Sequence, residues 1–163
     1  MGAGPRNPVV RVFDCHVVRS RDGVTEVLLL RRSAHKIYAG DWRMVGGKLQ
    51  DDETAWQACL REVSEETGLN ADRLFVVPYL NRFYEWTQDR VNEIPVFVAL
   101  TDGSDPVLDA EHDGWAWLSP DDAAALLPWP GQRGGLRAAI ALLQDERLWP
   151  HLDVSPLPNR DRT

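Results

Sequence analysis

The most informative segment of this chain is GKLQDDETAWQACLREVSEETGL, residues 47–69. Its apolar residues recur at helical spacing, which predicts a helix with one face in the core. These residues are Trp56, Cys59, Leu60 and Val63. Asp51 and Asp52 are candidate N-caps, Glu53 suits the first turn, and Gly68 is a stop signal. The segment therefore predicts one amphipathic helix that begins after paired aspartates and ends at Gly68.

Three glutamates near the end of this helix share one of its faces. Glu62, Glu65 and Glu66 are three and four residues apart, so their charges repel one another and oppose the helix dipole. Each misplaced carboxylate costs roughly 0.3–1 kcal/mol at such a position. A divalent cation such as Mg²⁺ would relieve these penalties, because it takes clustered carboxylate oxygens and keeps waters for substrate phosphates. A solvated, glutamate-rich helix end is the alternative interpretation.

The surrounding residues favour the metal-binding interpretation. Gly46 and Gly47 precede the helix with backbone that can approach a phosphate closely. The whole segment resembles the Nudix box: Gly, five residues, Glu, seven residues, Arg-Glu, an aliphatic residue, any residue, Glu-Glu, any residue, Gly, an aliphatic residue. Every specified position is met, at Gly47, Glu53, Arg61, Glu62, Val63, Glu65, Glu66, Gly68 and Leu69. Nine fixed positions at fixed spacing are too many for a chance match.

The resemblance implies both a fold and a reaction. The implied fold is of the α/β (α+β) class, a Nudix α/β/α sandwich with a mixed β-sheet between helices. The implied reaction is cleavage of a phosphoanhydride in a nucleoside diphosphate linked to another group. The implied cofactor is Mg²⁺, with Mn²⁺ as a possible replacement, and water is the group that attacks phosphorus.

The resemblance also implies a role for each residue of the box. The implied metal ligands are Gly47, through its carbonyl, and Glu62, Glu65 and Glu66. Glu62 and Glu65 are also candidate catalytic residues, and the choice of base among the glutamates stays open. Glu53 and Arg61 would pair structurally to orient the catalytic turn, which ends at the structural residue Gly68.

A further acidic residue lies outside the box. Glu111-His112 precedes the Trp-Ala-Trp-Leu stretch of residues 115–118. This resembles the Glu-His…Trp-Leu stretch in the dihydroneopterin triphosphate and dinucleoside polyphosphate branches of the family. There the glutamate can supply a late metal ligand or base, which makes Glu111 a catalytic candidate. An ordinary loop acid beside Asp109 and Asp113 is the alternative.

Five more residues are candidate substrate contacts. They are Arg31, Arg32, Trp42, Lys48 and Tyr84. Arginine forks match phosphate geometry, and a lysine after a double glycine can reach a phosphate. The two aromatic residues can stack on a base or a pterin ring. A solvated strand end, an exposed loop lysine and core packing are the respective alternatives.

The remaining sequence predicts strands interleaved with helices, with a hairpin first. Strands are predicted at residues 9–18, 26–32, 42–45, 74–79, 81–86, 94–100 and 115–118. Ser119 and Pro120 should open a helix, residues 128–131 should break the chain, and residues 136–144 should form a last helix. We expect one domain over residues 1–148. Residues 149–163 should form a tail that is poorly ordered unless Trp149 or Leu152 docks.

Composition limits the partners of the protein. With 18 basic and 25 acidic residues, the formal charge is −7, so no nucleic-acid partner is expected. Local arginines and a bound cation still allow a small phosphorylated nucleoside-type substrate. No apolar run has membrane-spanning length, and Cys15 and Cys59 do not suggest a disulfide ladder. These features predict a cytoplasmic protein without a membrane partner; a homodimer is possible because dimers are common in the Nudix family.

Three classes of function compete on this sequence. The first is a Mg²⁺-dependent Nudix pyrophosphohydrolase, with nucleoside triphosphates or dihydroneopterin triphosphate ranked first. Dinucleoside polyphosphates rank second, and nucleotide sugars and ADP-ribose third. The second class is a non-catalytic nucleotide-binding Nudix module, which usually loses the box carboxylates that this chain keeps. The third is isopentenyl diphosphate isomerase, which needs a catalytic cysteine that neither Cys15 nor Cys59 is placed to supply.

Overall fold

The computed structural model describes residues 8–154. The strands are β1 (Val12–Arg21), β2 (Val24–Arg32), β3 (Trp42–Arg43), β4 (Val45–Lys48), β5 (Arg73–Glu85), β6 (Arg90–Leu100) and β7 (His112–Leu118). The helices are α1 (Ala55–Thr67), α2 (Pro120–Leu126), α3 (Pro130–Leu143) and α4 (Trp149–Leu152), and a short 3-10 turn (Glu146–Leu148) precedes α4. Residues 155–163 of the predicted tail, like residues 1–7, lie outside the described residues.

β1 is the central strand of a mixed sheet with the order β3-β2-β1-β6-β5. It pairs in parallel with β6 along one side. Along its other side it pairs antiparallel with two strands, β2 opposite its second half and β4 opposite its first half. β7 pairs antiparallel with β2. Because β4 contains Gly47, this pairing ties the start of the box segment directly to the middle of the sheet.

Helices cover both faces of this sheet. Cys15 and Val17 of β1 pack in one buried cluster with α1 residues, and Val18 packs in a second cluster with α3 residues. Successive side chains of a strand point to opposite faces, so β1 contributes to both clusters. The α/β/α sandwich and its mixed sheet, which the resemblance implies, are confirmed.

The glutamate helix α1 begins later than the sequence suggests. Its N-cap is Thr54, and a capping box joins the Thr54 and Gln57 side chains to each other's backbone N–H. Asp51 and Asp52 are therefore not the caps, and Glu53 lies before the helix rather than in its first turn. The predicted end at Gly68 is confirmed: Gly68 has φ 66° and donates its N–H to the Ser64 carbonyl. Glycine adopts this left-handed conformation at no steric cost because it has no Cβ.

Two other predicted boundaries were wrong. The separate strands at residues 74–79 and 81–86 are one strand, β5, with an irregularity between Val76 and Leu80. The expected break at residues 128–131 includes the start of α3, because Pro130 occupies its first turn. A proline fits there since the first N–H groups of a helix have no intrahelical partner. By contrast, the predicted Ser119 cap of α2 is confirmed by its hydrogen bond from Asp122 N.

The first part of the predicted tail packs on the domain. The Trp149 ring lies 5.1 Å from the Phe75 ring, and Trp149 Nε1 donates to the Leu142 carbonyl at 3.0 Å. Val154 N then donates to the Leu74 carbonyl at 2.8 Å, beside the edge strand β5. Trp149 thus docks on β5 and the end of α3, which is the contact that the prediction made a condition for an ordered tail.

Both cysteines are buried free thiols, and burial raises the pKa of Cys59 well above its ordinary value. Their surroundings suit core packing rather than catalysis. Among residues 8–154, no helix combines the length and the apolar character needed to cross a bilayer.

Candidate active site

The three glutamates of α1 differ sharply in burial. The Glu65 side chain is 57% exposed and the Glu62 side chain 18% exposed, whereas Glu66 as a residue is only 4% exposed. Within the described part of the chain, Glu66 Oε2 is buried without a hydrogen-bond partner. The helix thus holds one carboxylate inside the protein and presents two nearer the surface.

The loop before β7 brings two more carboxylates to Glu66. Carboxylate oxygens of Glu66, Asp109 and Glu111 all lie within 4.8 Å of one another. Burial, and then the charges of Glu62, Asp109 and Glu111, raise the pKa of Glu66 from 4.5 to about 9. An unpaired buried carboxylate among further carboxylates is a donor set that suits a hard divalent cation, which would supply the missing positive charge.

Hydrogen bonds hold this loop in place. Asp109 Oδ1 accepts from the Glu111 N–H at 3.2 Å and lies 2.8 Å from His112 Nδ1. Ser33, just after β2, donates its N–H to the Glu111 carbonyl at 2.9 Å. Lys36 Nζ contacts Glu111 Oε1 at 2.9 Å and lowers the pKa of Glu111. The end of β2 therefore fixes the backbone that carries the two loop carboxylates.

Arg61 organises the other side of the glutamates. Its Nε and Nη2 atoms bind both carboxylate oxygens of Glu53, at 2.7 and 3.0 Å. Its Nη1 donates to Glu62 at 2.7 Å and to Glu65 at 3.3 Å. Arg61 lowers the pKa of Glu53. The backbone N–H of Gln50, which donates to Glu53 Oε2, also lowers this pKa. The Arg61 guanidinium thus links Glu53, in the loop before α1, to two glutamates of α1.

Gly47 allows β4 to lie against α1. A Cβ atom at this position would lie 3.0 Å from the Glu62 carboxyl group, a tighter contact than nine in ten side chains make. A residue with a side chain would therefore fit at Gly47 only if the Glu62 side chain shifted. The pairing of Gly47 with Phe13 of β1 keeps this residue in place.

The comparisons with known proteins agree with this geometry. The family model described as the NUDIX domain matches residues 10–139, which include the sheet, the box and most of α3. The chain belongs to the NUDIX family. Its complete Nudix box coincides with α1 and the preceding loop, where the carboxylates meet. The relatives of this chain include named pyrophosphohydrolases, and Nudix hydrolases generally use divalent metal ions.

The relatives differ in how much of their own length this chain matches. The CTP pyrophosphohydrolase of Escherichia coli K12 is 31% identical over 75% of this chain and 86% of that protein. An octanoyltransferase of Myxococcus xanthus is 32% identical over 82% of this chain, but the match spans only 38% of that protein. A solved Ap4A hydrolase complex from C. elegans has a TM-score of 0.68 and 23% identity over 83% of this chain and 98% of that chain, which shows the shared fold.

The predicted substrate contacts lie at several places around the Nudix sheet. Arg31 and Trp42 are paired across β2 and β3, with the Arg31 Cζ atom 5.8 Å from the Trp42 ring centre. Arg31 also forms an ion pair of 2.7 Å with Asp113, and Arg32 donates to the Ile37 carbonyl. The Arg31–Trp42 pair thus combines a cation with an aromatic face.

The two other predicted contacts lie apart from this pair. Lys48 ends β4 next to Gly47, has an exposed side chain, and its carbonyl accepts from Arg61 at 3.3 Å. Tyr84 lies near the β5–β6 turn, 58% exposed, and donates to Asp89 at 2.7 Å. Lys48 is therefore close to the box glutamates along the chain, whereas Tyr84 is at the end of a hairpin.

The sequence analysis did not predict one residue of the carboxylate cluster and one residue that contacts it. Asp109 was weighed only as a neighbouring loop acid, and Lys36 was not considered, yet Asp109 lies in the cluster and Lys36 binds Glu111. The signal that could have found Asp109 is its spacing from Glu111. An aspartate carboxylate commonly accepts a hydrogen bond from the backbone N–H two residues later. This bond places Asp109 and Glu111 on one turn.

Proposed function

We propose that this protein is a Mg²⁺-dependent Nudix pyrophosphohydrolase that cleaves a phosphoanhydride of a nucleoside triphosphate or a similar triphosphate. One observation carries the proposal: buried Glu66, with an unpartnered oxygen, lies among Asp109 and Glu111 at the end of a complete Nudix box. A solvated glutamate-rich helix end would leave Glu66 exposed. Here burial and the neighbouring carboxylates raise its pKa to about 9, a cost that a bound cation would remove.

Some of these residues would bind the metal ion, and others position the carboxylates that bind it. Glu66, Asp109 and Glu111 would hold the metal ion, with Glu62, Glu65 and the Gly47 carbonyl as further ligands. When bound, Mg²⁺ would neutralise phosphate oxygens and lower the pKa of a water molecule. Arg61 positions Glu62 and Glu65 by direct hydrogen bonds, and Lys36 positions Glu111.

The reaction adds water across one P–O–P linkage. Oxygen of the attacking water bonds to phosphorus, the bridging P–O bond breaks, and a carboxylate accepts the water proton. Glu62, Glu65 and Glu111 are the candidate bases. Phosphoryl transfer depends more on positioning and charge stabilisation than on covalent catalysis, so a rigid set of carboxylates suits it.

Basic groups around the carboxylates would bind the other phosphates. Arg31 and Lys48 have exposed side chains on strands that flank the box, and Arg32 follows Arg31. Guanidinium groups bind phosphate oxygens in pairs, and an ammonium group acts as a point charge. These local cations would offset the overall negative charge of the protein.

A nucleoside triphosphate is the first choice of substrate. The similarity to a CTP pyrophosphohydrolase, which extends over 86% of that enzyme, supports this choice. The match to the octanoyltransferase does not bear on it, because most of that protein lies outside the match. Dihydroneopterin triphosphate, diadenosine tetraphosphate and ADP-ribose are the other substrates to test.

The test is a substrate panel with the wild-type protein and three variants. The panel contains the common ribo- and deoxyribonucleoside triphosphates and the three other compounds, each with Mg²⁺ or Mn²⁺, and products are identified by mass. We expect Glu62→Gln and Glu66→Gln to lower kcat at least 100-fold for the substrate that turns over. Glu146→Gln is the matched control, because Glu146 is an exposed glutamate on the turn before α4.

Two results would contradict the proposal. Full activity of Glu66→Gln would show that the buried carboxylate does not take part. No turnover of any compound by folded protein, together with retained nucleotide binding, would instead support the non-catalytic Nudix module. Glu65→Gln, Glu62→Gln and Glu111→Gln should then be compared by pH profile, because loss of the base removes the acidic limb of the profile.

A further inference from the structure

One lysine reaches the carboxylate cluster from a different part of the chain. Lys36 lies in the loop between β2 and β3, and its Nζ atom is 2.9 Å from Glu111 Oε1. Glu111 is one of the three acids whose carboxylate oxygens lie within 4.8 Å of one another. A positive charge of the protein itself thus contacts the cluster to which a divalent cation would bind.

Backbone hydrogen bonds hold the β2–β3 loop beside this cluster. Arg32 N donates to the Asp41 carbonyl at 3.0 Å, which closes the base of the loop. Ser33 donates its N–H to the Glu111 carbonyl at 2.9 Å, and Lys36 N donates to the Ser33 carbonyl at 3.1 Å. The backbone of Lys36 is therefore fixed next to the acidic loop, and only the Lys36 side chain has to move to release Glu111.

The Lys36–Glu111 pair lies at the outer side of the cluster. The Lys36 side chain is 32% exposed and the Glu111 side chain 46% exposed, whereas Glu66 as a residue is only 4% exposed. Ion pairs with this much exposure are weak, because water competes for both charges. Glu66 Oε2, by contrast, is buried and has no hydrogen-bond partner among the described residues. The ammonium thus makes an exchangeable contact with the accessible carboxylate and leaves the buried oxygen without a partner.

The chemical type of this cation suits exchange. Only two of the 18 basic residues are lysines, Lys36 and Lys48, and the other 16 are arginines. Arg61 binds both oxygens of Glu53 with a planar guanidinium, which fixes the geometry of that pair. A lysine is instead a point charge on a flexible four-carbon stem, with three donors that can turn toward a new acceptor. Lys36 can therefore leave Glu111 for another anion within its reach.

A divalent cation and the Lys36 ammonium compete for the same carboxylate. Two positive charges at Glu111 repel each other, and the ion with the higher charge is attracted more strongly. A metal ion bound at the cluster would therefore displace the ammonium. Because the Lys36 backbone stays beside the cluster, the freed ammonium lies close to the anion that the metal ion brings with it. Phosphate oxygens are charged acceptors that form strong hydrogen bonds with ammonium groups.

We infer that Lys36 competes with the metal ion for Glu111 and moves to a substrate phosphate when the metal ion and the nucleotide bind together. The inference rests on the proposed function, because it needs Glu111 as a ligand of the metal ion. Lys36 thereby lowers the affinity of the site for free metal and raises the affinity of the metal-loaded site for phosphate. The site thus takes up its metal ion with the nucleotide rather than before it.

The first part of the test measures Mn²⁺ affinity without nucleotide, from the electron paramagnetic resonance signal of free Mn²⁺. Lys36→Met removes the charge and keeps an unbranched side chain. We expect it to bind Mn²⁺ about fivefold more tightly than the wild-type protein, because a competing positive charge is gone. Arg147→Met is the control for loss of one positive charge, since the Arg147 side chain is 89% exposed on the turn before α4. It should leave the affinity unchanged.

A double-variant comparison shows whether Lys36 acts through Glu111. In protein that already carries Glu111→Gln, the carboxylate for which the two cations compete is absent. Lys36→Met should then change Mn²⁺ affinity by less than about twofold, because contacting residues are not additive whereas independent ones are. A fivefold gain that persists in the Glu111→Gln protein would show that Lys36 acts only as a general charge, and would overturn the inference.

The second part of the test measures phosphate binding at saturating Mn²⁺ by calorimetry. The probe is methylenediphosphonate, a pyrophosphate analogue whose carbon bridge water does not cleave. We expect Lys36→Met to bind it about fivefold more weakly than the wild-type protein, and Lys36→Arg to retain most of the affinity, because a charged donor remains. Lys36→Met thus shifts the two affinities in opposite directions.

The other outcomes would overturn the inference. Weaker or unchanged Mn²⁺ binding by Lys36→Met would show that Lys36 only positions Glu111. Tighter Mn²⁺ binding with unchanged binding of methylenediphosphonate would show that Lys36 does not move to phosphate.

Neither titration requires turnover, so the inference and the proposed function can fail separately. Both expected shifts in a protein that hydrolyses no compound of the panel would support the inference and contradict the proposed hydrolysis. Hydrolysis of a triphosphate without these shifts would leave the proposed function intact and overturn the inference.

Discussion

Replacing Glu66 by glutamine should stabilise the metal-free protein, by an amount that increases with pH. Glu66 is 4% exposed, and burial with nearby carboxylates raises its pKa from 4.5 to about 9. Between these two values the folded protein keeps a proton that the unfolded chain releases. Stability of the wild-type protein therefore falls as pH rises through this window. Glutamine has the same shape and no charge, so the variant lacks this loss.

The size of the effect follows from the pKa shift. One pH unit inside the window corresponds to about 1.4 kcal/mol. Relative to acidic solution, the wild-type protein thus loses about 1 kcal/mol of stability at pH 5.5 and about 4 kcal/mol at pH 7.5. The advantage of Glu66→Gln should therefore grow by about 3 kcal/mol between these two pH values.

Urea unfolding in EDTA at the two pH values measures this change. Glu65→Gln is the control on the same helix, because the Glu65 side chain is 57% exposed. We expect that control to change stability by no more than about 0.5 kcal/mol at either pH. Mg²⁺ at 100 times Kd should add about 2.7 kcal/mol to the wild-type protein alone, which reverses the order of the two proteins at pH 5.5 and narrows the difference between them at pH 7.5.

One result would refute this reasoning. If Glu66→Gln changes stability by the same amount at both pH values, Glu66 does not exchange its proton on unfolding in this window. Burial and the neighbouring carboxylates would then not oppose ionisation of Glu66, and a bound cation would have no such cost to relieve. A destabilised variant at both pH values would point instead to a packing role for Glu66.

Three further predictions concern other parts of the chain. Thr54→Ala should lower the free energy of unfolding by about 1 kcal/mol in urea, and Thr54→Ser should restore most of it, because Thr54 caps α1. His16, with its pKa lowered from 6.5 to about 4, should make stability fall by up to about 3 kcal/mol as pH drops through that window. His16→Gln should lack this fall, while Asp14, whose pKa is raised to about 6, contributes an opposite trend in both proteins. Trp149→Ala should cost about 2–3 kcal/mol in the same assay, and an unchanged value would show that the packing on Phe75 is not stabilising.

Much of the glutamate helix could be predicted because its signals are local. Apolar spacing indicates the buried face, and the position of Gly68 indicates the end, since both depend on residues within a few turns. The start was harder to predict, because aspartates 51 and 52 and Thr54 are all suitable caps by composition. Thr54 is the cap because Gln57 completes the reciprocal hydrogen bonds of a capping box.

The sequence by itself determined the family, the mixed α/β architecture and the row of glutamates that defines the box. Only the tertiary structure showed that Asp109 meets Glu66, and that Asn81 of β5 donates to Asp14 of β1. Apolar residues recur every two positions in a strand and every 3.6 in a helix, and this spacing indicates which face a side chain occupies. It does not indicate which distant residue lies opposite. That pairing depends on strand order and register, which place residues 96–100 of β6 beside residues 14–18 of β1.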